Sequence, residues 1–265
     1  MIILRNGTKR LPEGVQDIHS IDLELKENLT SKLKTLYRSY GYRQVQTPTF
    51  EYYDLFLEIN GTIDREKMVK LVDRDGKILV LRPDATIPIA RMVATFNKDE
   101  DSYYKLSYFT SVFRMNDDKQ SITNRELTQA GIELFGKNHM EADVEVITLA
   151  IKSMESLGLQ HFKIDLGQAN YFKELLYESK LPPGQLQEIQ KRIEQKNVSE
   201  LKQILNDTTI DEKVKKVLLS IPLLYGDPAN VIEKARELAL NDKMREELAY
   251  LEEVYERLVE TGYGD

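Results

Sequence analysis

One run dense in aromatic and β-branched residues constrains this chain more than any other stretch. Tyr103-Tyr104-Lys105-Leu106-Ser107-Tyr108-Phe109-Thr110-Ser111-Val112-Phe113-Arg114 reads as a long strand. A polar loop, Met115 to Asn124, leads to a second run, Arg125-Glu126-Leu127-Thr128-Gln129-Ala130-Gly131-Ile132-Glu133-Leu134-Phe135. Successive strand side chains point to opposite faces. Thr128, Ala130, Ile132 and Leu134 therefore make a small, apolar face fit for packing. Arg125, Leu127, Gln129, Gly131 and Glu133 make the other, with polar groups spaced around a glycine. Glycine inside a strand often marks the close approach of a ligand or another backbone. On pattern alone two readings stand: the solvated side of an antiparallel sheet, or the floor of a pocket.

The 265 residues suffice for one large domain or two smaller ones. A chain 41% apolar and 31% charged has the balance of a soluble globular protein. No apolar run is long enough for a bilayer and the start, Met1 to Asn6, is too short for a signal peptide, so a cytoplasmic location is expected. Without cysteine there is neither a disulfide framework nor a thiolate site. His19, His139 and His161 lie far apart with no metal-ligand spacing, and no metal or cofactor is expected. A net charge of −7, with Lys and Arg scattered among acids, lacks the basic stripe that nucleic-acid phosphates call for.

In chain order, Leu11-Pro12-Glu13-Gly14-Val15-Gln16-Asp17 carries the turn residues of an extended loop. Ser20 is a candidate cap for a helix with Leu25, Leu29, Leu33, Leu36, Tyr37 and Tyr40 at helical spacing, which Gly41 ends. A strand follows over Tyr42 to Glu51, with Pro48 at an edge or strand end. Met68 to Val72 and Lys77 to Leu81 form a hairpin around Asp73-Arg74-Asp75-Gly76. Its second strand runs into Arg82-Pro83-Asp84-Ala85-Thr86. A carboxylate and a hydroxyl at a strand end can take up an ammonium; Asp84 equally suits a cap for the helix after Pro88. Glu141 to Leu157 is helical and closed by Gly158, and His161 to Gly167 reads as a short strand. From Asn170 onward, helical segments follow one another between Pro-, Gly- and Asn-rich punctuation. Residues 1–167 are therefore expected to form a sheet domain and 168–265 an all-helical one.

Phe113-Arg114, a loop, and Arg125 to Gly136 resemble the second signature motif of class II aminoacyl-tRNA synthetases in its histidyl form. The helix, Gly41 and the strand ending in Thr47-Pro48 before Glu51 are similar to the first motif, the homodimer interface of that family. The resemblance implies an α+β fold: a mostly antiparallel sheet flanked by helices, with a C-terminal all-helical insertion. It also implies a homodimer through the 21–51 helix–strand unit. Asp84, Thr86, Arg114, Gln129 and Glu133 fall where the family holds an amino acid and a nucleotide. Asp84 and Thr86 match the Glu and Thr of a family Arg-Pro-Glu-Gly-Thr stretch that binds the amino group, and Arg114 matches the arginine on the ATP α-phosphate.

Several positions depart from the enzymes. Asp84 is one methylene shorter than Glu, and Ala85 replaces glycine. Asn116 stands where an acid follows the motif arginine, and Thr123 where a second loop arginine meets the γ-phosphate. A hydroxyl cannot supply a bidentate guanidinium contact. These features resemble the non-aminoacylating relatives, the regulatory subunits of ATP phosphoribosyltransferase. That resemblance implies no catalytic residues and partnership with the short-form catalytic subunit at the first step of histidine biosynthesis. Histidine is the implied feedback ligand, and tRNA is not an expected partner. The alternatives are a divergent or truncated histidyl-tRNA synthetase and a paralogue that activates an amino acid without tRNA. The family's third motif and its strands are not in this sequence, so either the chain is part of a longer one or another subunit covers a sheet edge.

Overall fold

The computed structural model describes residues 11–57, 65–96, 102–115, 124–136 and 139–264. The chain divides into two units, Met1–Phe162 and Lys163–Asp265. The first holds α1 (Ser20–Ser39), β1 (Arg43–Gln44), β2 (Phe50–Tyr52), α2 (Asp54–Leu57), β3 (Lys70–Val72), β4 (Ile78–Leu81), α3 (Thr86–Phe96), β5 (Tyr104–Phe113), β6 (Glu126–Phe135) and α4 (Met140–Ser156). The second holds α5 (Ala169–Ser179), α6 (Pro183–Glu194), α7 (Val198–Asn206), α8 (Glu212–Ser220), α9 (Pro228–Leu238) and α10 (Asp242–Glu260).

The first unit carries two three-stranded sheets, ordered β1-β5-β6 and β2-β4-β3. All strand pairs are antiparallel except β1 with β5. The single strand expected over Tyr42 to Glu51 is thus split between two sheets. Pro48 has no amide hydrogen to continue a ladder, and the chain changes sheets around it. Arg82 holds this crossing: Nε donates to Ser111 O at 2.7 Å, and Nη1 to Thr47 O at 2.7 Å and Pro48 O at 3.1 Å.

In the β5–β6 pair Leu106 opposes Glu133, Tyr108 opposes Gly131 and Thr110 opposes Gln129. Of the face expected to pack, Ile132 and Leu134 do so, whereas Thr128 and Ala130 are exposed. On one face, Phe109, Ile132 and Leu134 pack against Leu33 and Tyr37 of α1 and Leu149 of α4. On the other, Leu106 and Tyr108 pack against Ala85 and Ile89 at the start of α3.

Local signals explain the helix ends. Gly41, at φ +83°, lets Tyr42 N reach Tyr37 O and Gly41 N reach Arg38 O, which satisfies two of the last carbonyls of α1. Gly158, at φ +92°, closes α4 the same way. Ser20 is not the cap of α1. His19 occupies that position without a side-chain bond, because the helix starts early enough to place Ser20 in its first turn. Residues His161 to Gly167 form no strand; the segment finds no ladder partner among the described residues, and a strand exists only where its backbone pairs.

Among its described residues the second unit holds helices and no strand. Leu175, Ile189, Leu201, Leu205, Leu218 and Met244 are fully buried at its centre, each contributing about 1.5–3 kcal/mol of transfer free energy. The polar residues that punctuate the sequence cap its helices. Asn197, Asp211, Asp227 and Asn241 accept from Glu200 N, Lys213 N, Asn230 N and Met244 N, respectively.

Candidate functional site

The polar face of β6 meets the start of α3. Val80 and Leu81 end β4 against β2 and β3, and Arg82-Pro83-Asp84 then turns the chain into α3. Asp84 is buried, and its Oδ1 accepts from Ile87 N at 3.1 Å, which makes it a cap of α3. The capped helix begins at Thr86 rather than after Pro88. Proline is tolerated there, since amides of the first turn have no intrahelical acceptor.

Thr86 Oγ1 donates to Glu133 Oε1 at 2.7 Å across 47 positions of sequence. Burial raises the Glu133 carboxyl above its ordinary range; the Thr86 bond offsets part of the rise, and the nearby Asp84 charge adds to it. Tyr108 lies beneath the same groups. Burial, then the Glu133 and Asp84 charges, push its hydroxyl up to about 12, and Thr86 again opposes the shift. Asp84, Thr86, Tyr108 and Glu133 therefore form one electrostatic cluster of two carboxyl groups and two hydroxyls.

Gln129 stands on the same face, opposite Thr110. Its Oε1 is buried with no hydrogen-bond partner among the described residues, an acceptor left for something else to satisfy. Arg114 follows β5; its Nε donates to Pro83 O at 2.8 Å and its amide to Arg125 O at 2.9 Å. The five residues singled out from sequence thus fall into two groups. Thr86 and Glu133 are hydrogen-bonded and the Asp84 charge acts on Glu133 from nearby, whereas Arg114 bonds the backbone of the 82–84 turn and Gln129 shares the strand face of Glu133. Asn116 and Thr123 lie outside the described residues.

Sequence reasoning missed Tyr108, which looks like any aromatic core residue until the hairpin register sets it against Gly131. It also missed Arg82. A separate cleft of about 290 Å³ opens between β6 and α4, lined by Ile132, Leu134, Ala142 and Val146 with Glu133 and Asp143. Among the described residues, no group of three or more His, Asp or Glu could hold a metal ion. No helix among them is long and apolar enough to cross a membrane.

Chemically, the buried Asp84 carboxyl, the half-buried Glu133 carboxyl, two hydroxyls and an unsatisfied amide oxygen form an acceptor-rich cluster. Carboxylates and free acceptors of this kind can bond an N–H-rich cation such as an ammonium by charge-assisted hydrogen bonds.

The sequence model of the histidyl-tRNA synthetase family matches residues 14–263. The ATP phosphoribosyltransferase regulatory subunit of Clostridium acetobutylicum is 38% identical over 264 residues, 98% of this chain and 64% of that protein. The subunit of the same name from Alkaliphilus metalliredigens is 39% identical over 254 residues, 96% of this chain and 64% of that protein. The chain thus spans 64% of the length of these two curated relatives. A crystal structure of an ATP phosphoribosyltransferase regulatory subunit/histidyl-tRNA synthetase from Bacillus halodurans superposes with a TM-score of 0.87 at 30% identity, over 99% of this chain and 67% of that one. A histidine–tRNA ligase subunit from Alicyclobacillus acidocaldarius, 22% identical with a TM-score of 0.76 over 96% of this chain and 77% of that one, shares the fold.

Proposed function

The chain belongs to the histidyl-tRNA synthetase family, and from that premise we propose that it is a non-catalytic regulatory subunit of ATP phosphoribosyltransferase. In this reading it is required by the short-form catalytic subunit at the first step of histidine biosynthesis, in the cytoplasm, and carries feedback by histidine. The observation that carries the reading is the state of Asp84. The carboxylate that matches the family's amino-group ligand is buried and engaged as the cap of α3, while Thr86 and Glu133 remain as a bonded acceptor pair. Such a pocket is built to hold an amino acid rather than to drive its activation. Relatives that bear the regulatory-subunit name at 38% and 39% identity support the same reading.

A homodimer through the 21–51 unit is part of the proposal. Ile21 is 81% exposed, Leu25 57% and Phe50 52%, an apolar set on α1 and β2 of the kind that marks an interface.

The test mixes the purified protein with the short catalytic subunit. Co-elution and a gain in phosphoribosyl transfer that histidine then suppresses are expected, with no histidine-dependent exchange of pyrophosphate into ATP. Exchange at an enzymatic rate, without any effect on the catalytic subunit, would overturn the assignment in favour of amino-acid activation.

A further inference from the structure

The loop Leu11 to Asp17 lies against the cationic end of the same strand face. Arg125 N donates to Gly14 O at 2.5 Å, and the Arg125 guanidinium stands 3.7 Å from Glu13 Oε2. Gly14 has φ +76°, and a β-carbon there would come within 2.6 Å of Arg125 Cγ and 3.2 Å of Nε. The loop backbone therefore runs flat along the arginine side chain, a course only glycine permits. Arg125 precedes β6 on the face that carries Gln129 and Glu133, and its carbonyl accepts from Arg114 N. Two arginines thus adjoin where the hairpin opens, away from the acidic end at Glu133.

We propose that residues 11–17 are an autoinhibitory strap, with the Glu13 carboxylate standing in for the anionic group of a ligand at Arg125. The proposal rests on the reading of this strand face as a ligand pocket. An amino acid held at Thr86 and Glu133 binds with the strap in place. A small molecule carrying phosphate engages Arg125 only when the strap lifts. The latch is one exposed ion pair (Arg125 36% and Glu13 90% exposed) and one backbone hydrogen bond, so it is weak enough to open and sensitive to salt.

The experiment uses Gly14→Ala, whose β-carbon would stand 2.6 Å from Arg125 Cγ and so drives the strap and that side chain apart, and Glu13→Gln, which removes only the carboxylate. Hydrogen exchange reports whether residues 11–17 are released. Calorimetry measures affinity for inorganic pyrophosphate, against sulfate at equal ionic strength, and for L-histidine. Gly14→Ala is expected to speed exchange over 11–17 and tighten pyrophosphate about tenfold, Glu13→Gln about threefold, with histidine affinity unchanged. Faster exchange with no gain in pyrophosphate affinity overturns the strap, as does an absence of pyrophosphate binding in all three proteins. Loss of histidine binding in all three, with the pyrophosphate gain intact, leaves the strap standing and refutes instead the amino-acid pocket.

Discussion

Gly131 lies directly opposite Tyr108 across the β5–β6 pair, and a β-carbon on Gly131 would stand 2.5 Å from the tyrosine hydroxyl and 2.7 Å from Cζ. The ring thus lies over the glycine, which is what brings its hydroxyl beside Thr86 and Glu133. Gly131→Ala is expected to lower stability by about 1–3 kcal/mol, the usual cost of overpacking. Because the contact reaches the ring carbon as well as the oxygen, Tyr108→Phe does not relieve it. In a Tyr108→Ala background the same glycine change is nearly neutral. Denaturant titration of the double-mutant cycle measures this coupling.

Arg82 is the brace at which both sheets of the first unit meet. Its guanidinium serves carbonyls of Thr47, Pro48 and Ser111, and its own backbone pairs with Thr49 O and Phe113 N. Burial lowers its pKa, with Glu51 opposing the shift, yet arginine stays charged throughout the accessible pH range. Arg82→Met leaves buried carbonyls without donors and is expected to cost on the order of 3 kcal/mol. Arg82→Lys, lacking the fork that reaches separate acceptors, recovers less than half of that. Thermal unfolding of the two variants side by side checks both values.

How far the sequence was legible follows from the range of the signals. Strand alternation put Ile132 and Leu134 of β6 on the packing face because each residue's direction depends only on its neighbours, but it could not tell that Thr128 and Ala130 on the same face stay exposed. The hairpin around Gly76 (φ +78°) was readable for the same reason. Asp84 was left between ligand and cap, and its Oδ1 accepts from Ile87 N as a cap does. What stayed hidden depends on long-range pairing. The Thr86–Glu133 bond, the seat of Tyr108 on Gly131 and the three acceptors of Arg82 all need the register of β5 against β6 or the crossing at Pro48. No local pattern around Pro48 says that its two sides enter different sheets. The expected strand at His161 to Gly167 failed for a related reason: apolar and β-branched composition supplies propensity but not a partner edge.

Lys196 takes φ +52° in the turn after α6, where Asn197 N reaches Arg192 O and Lys196 N reaches Ile193 O. This is the glycine position of a helix end, filled by a residue whose β-carbon crowds its own carbonyl there. Lys196→Gly is expected to stabilise the helical unit by about 1 kcal/mol. The same change at Lys191, inside α6, is expected to destabilise by a similar amount. Opposite shifts in the urea midpoint of these two variants would tie the effect to backbone conformation rather than to loss of charge.

Glu133 makes the stability of the first unit depend on pH. Burial and the Asp84 charge raise its folded pKa above the ordinary glutamate value of 4.5, the Thr86 bond offsetting only part of the rise. Below 4.5 the carboxyl is protonated in both folded and unfolded chains, and its contribution to stability is fully present. As pH rises from there through the higher folded pKa, the unfolded chain releases its proton first, and that contribution is lost. Glu133→Gln keeps an oxygen to accept from Thr86 but cannot ionise. The difference in Tm between variant and parent is therefore expected to be near zero or negative at pH 4, to climb above that value, and to be positive at pH 7. A difference that stays flat from pH 4 to pH 7 would rule out the buried carboxyl as the source. The same substitution also removes the charge proposed to meet an ammonium, so a variant more stable than its parent at pH 7 should bind histidine more weakly. Stability and affinity moving in opposite directions is the signature of a carboxylate kept in an unfavourable place for a ligand, and a purely structural Glu133 would not produce it.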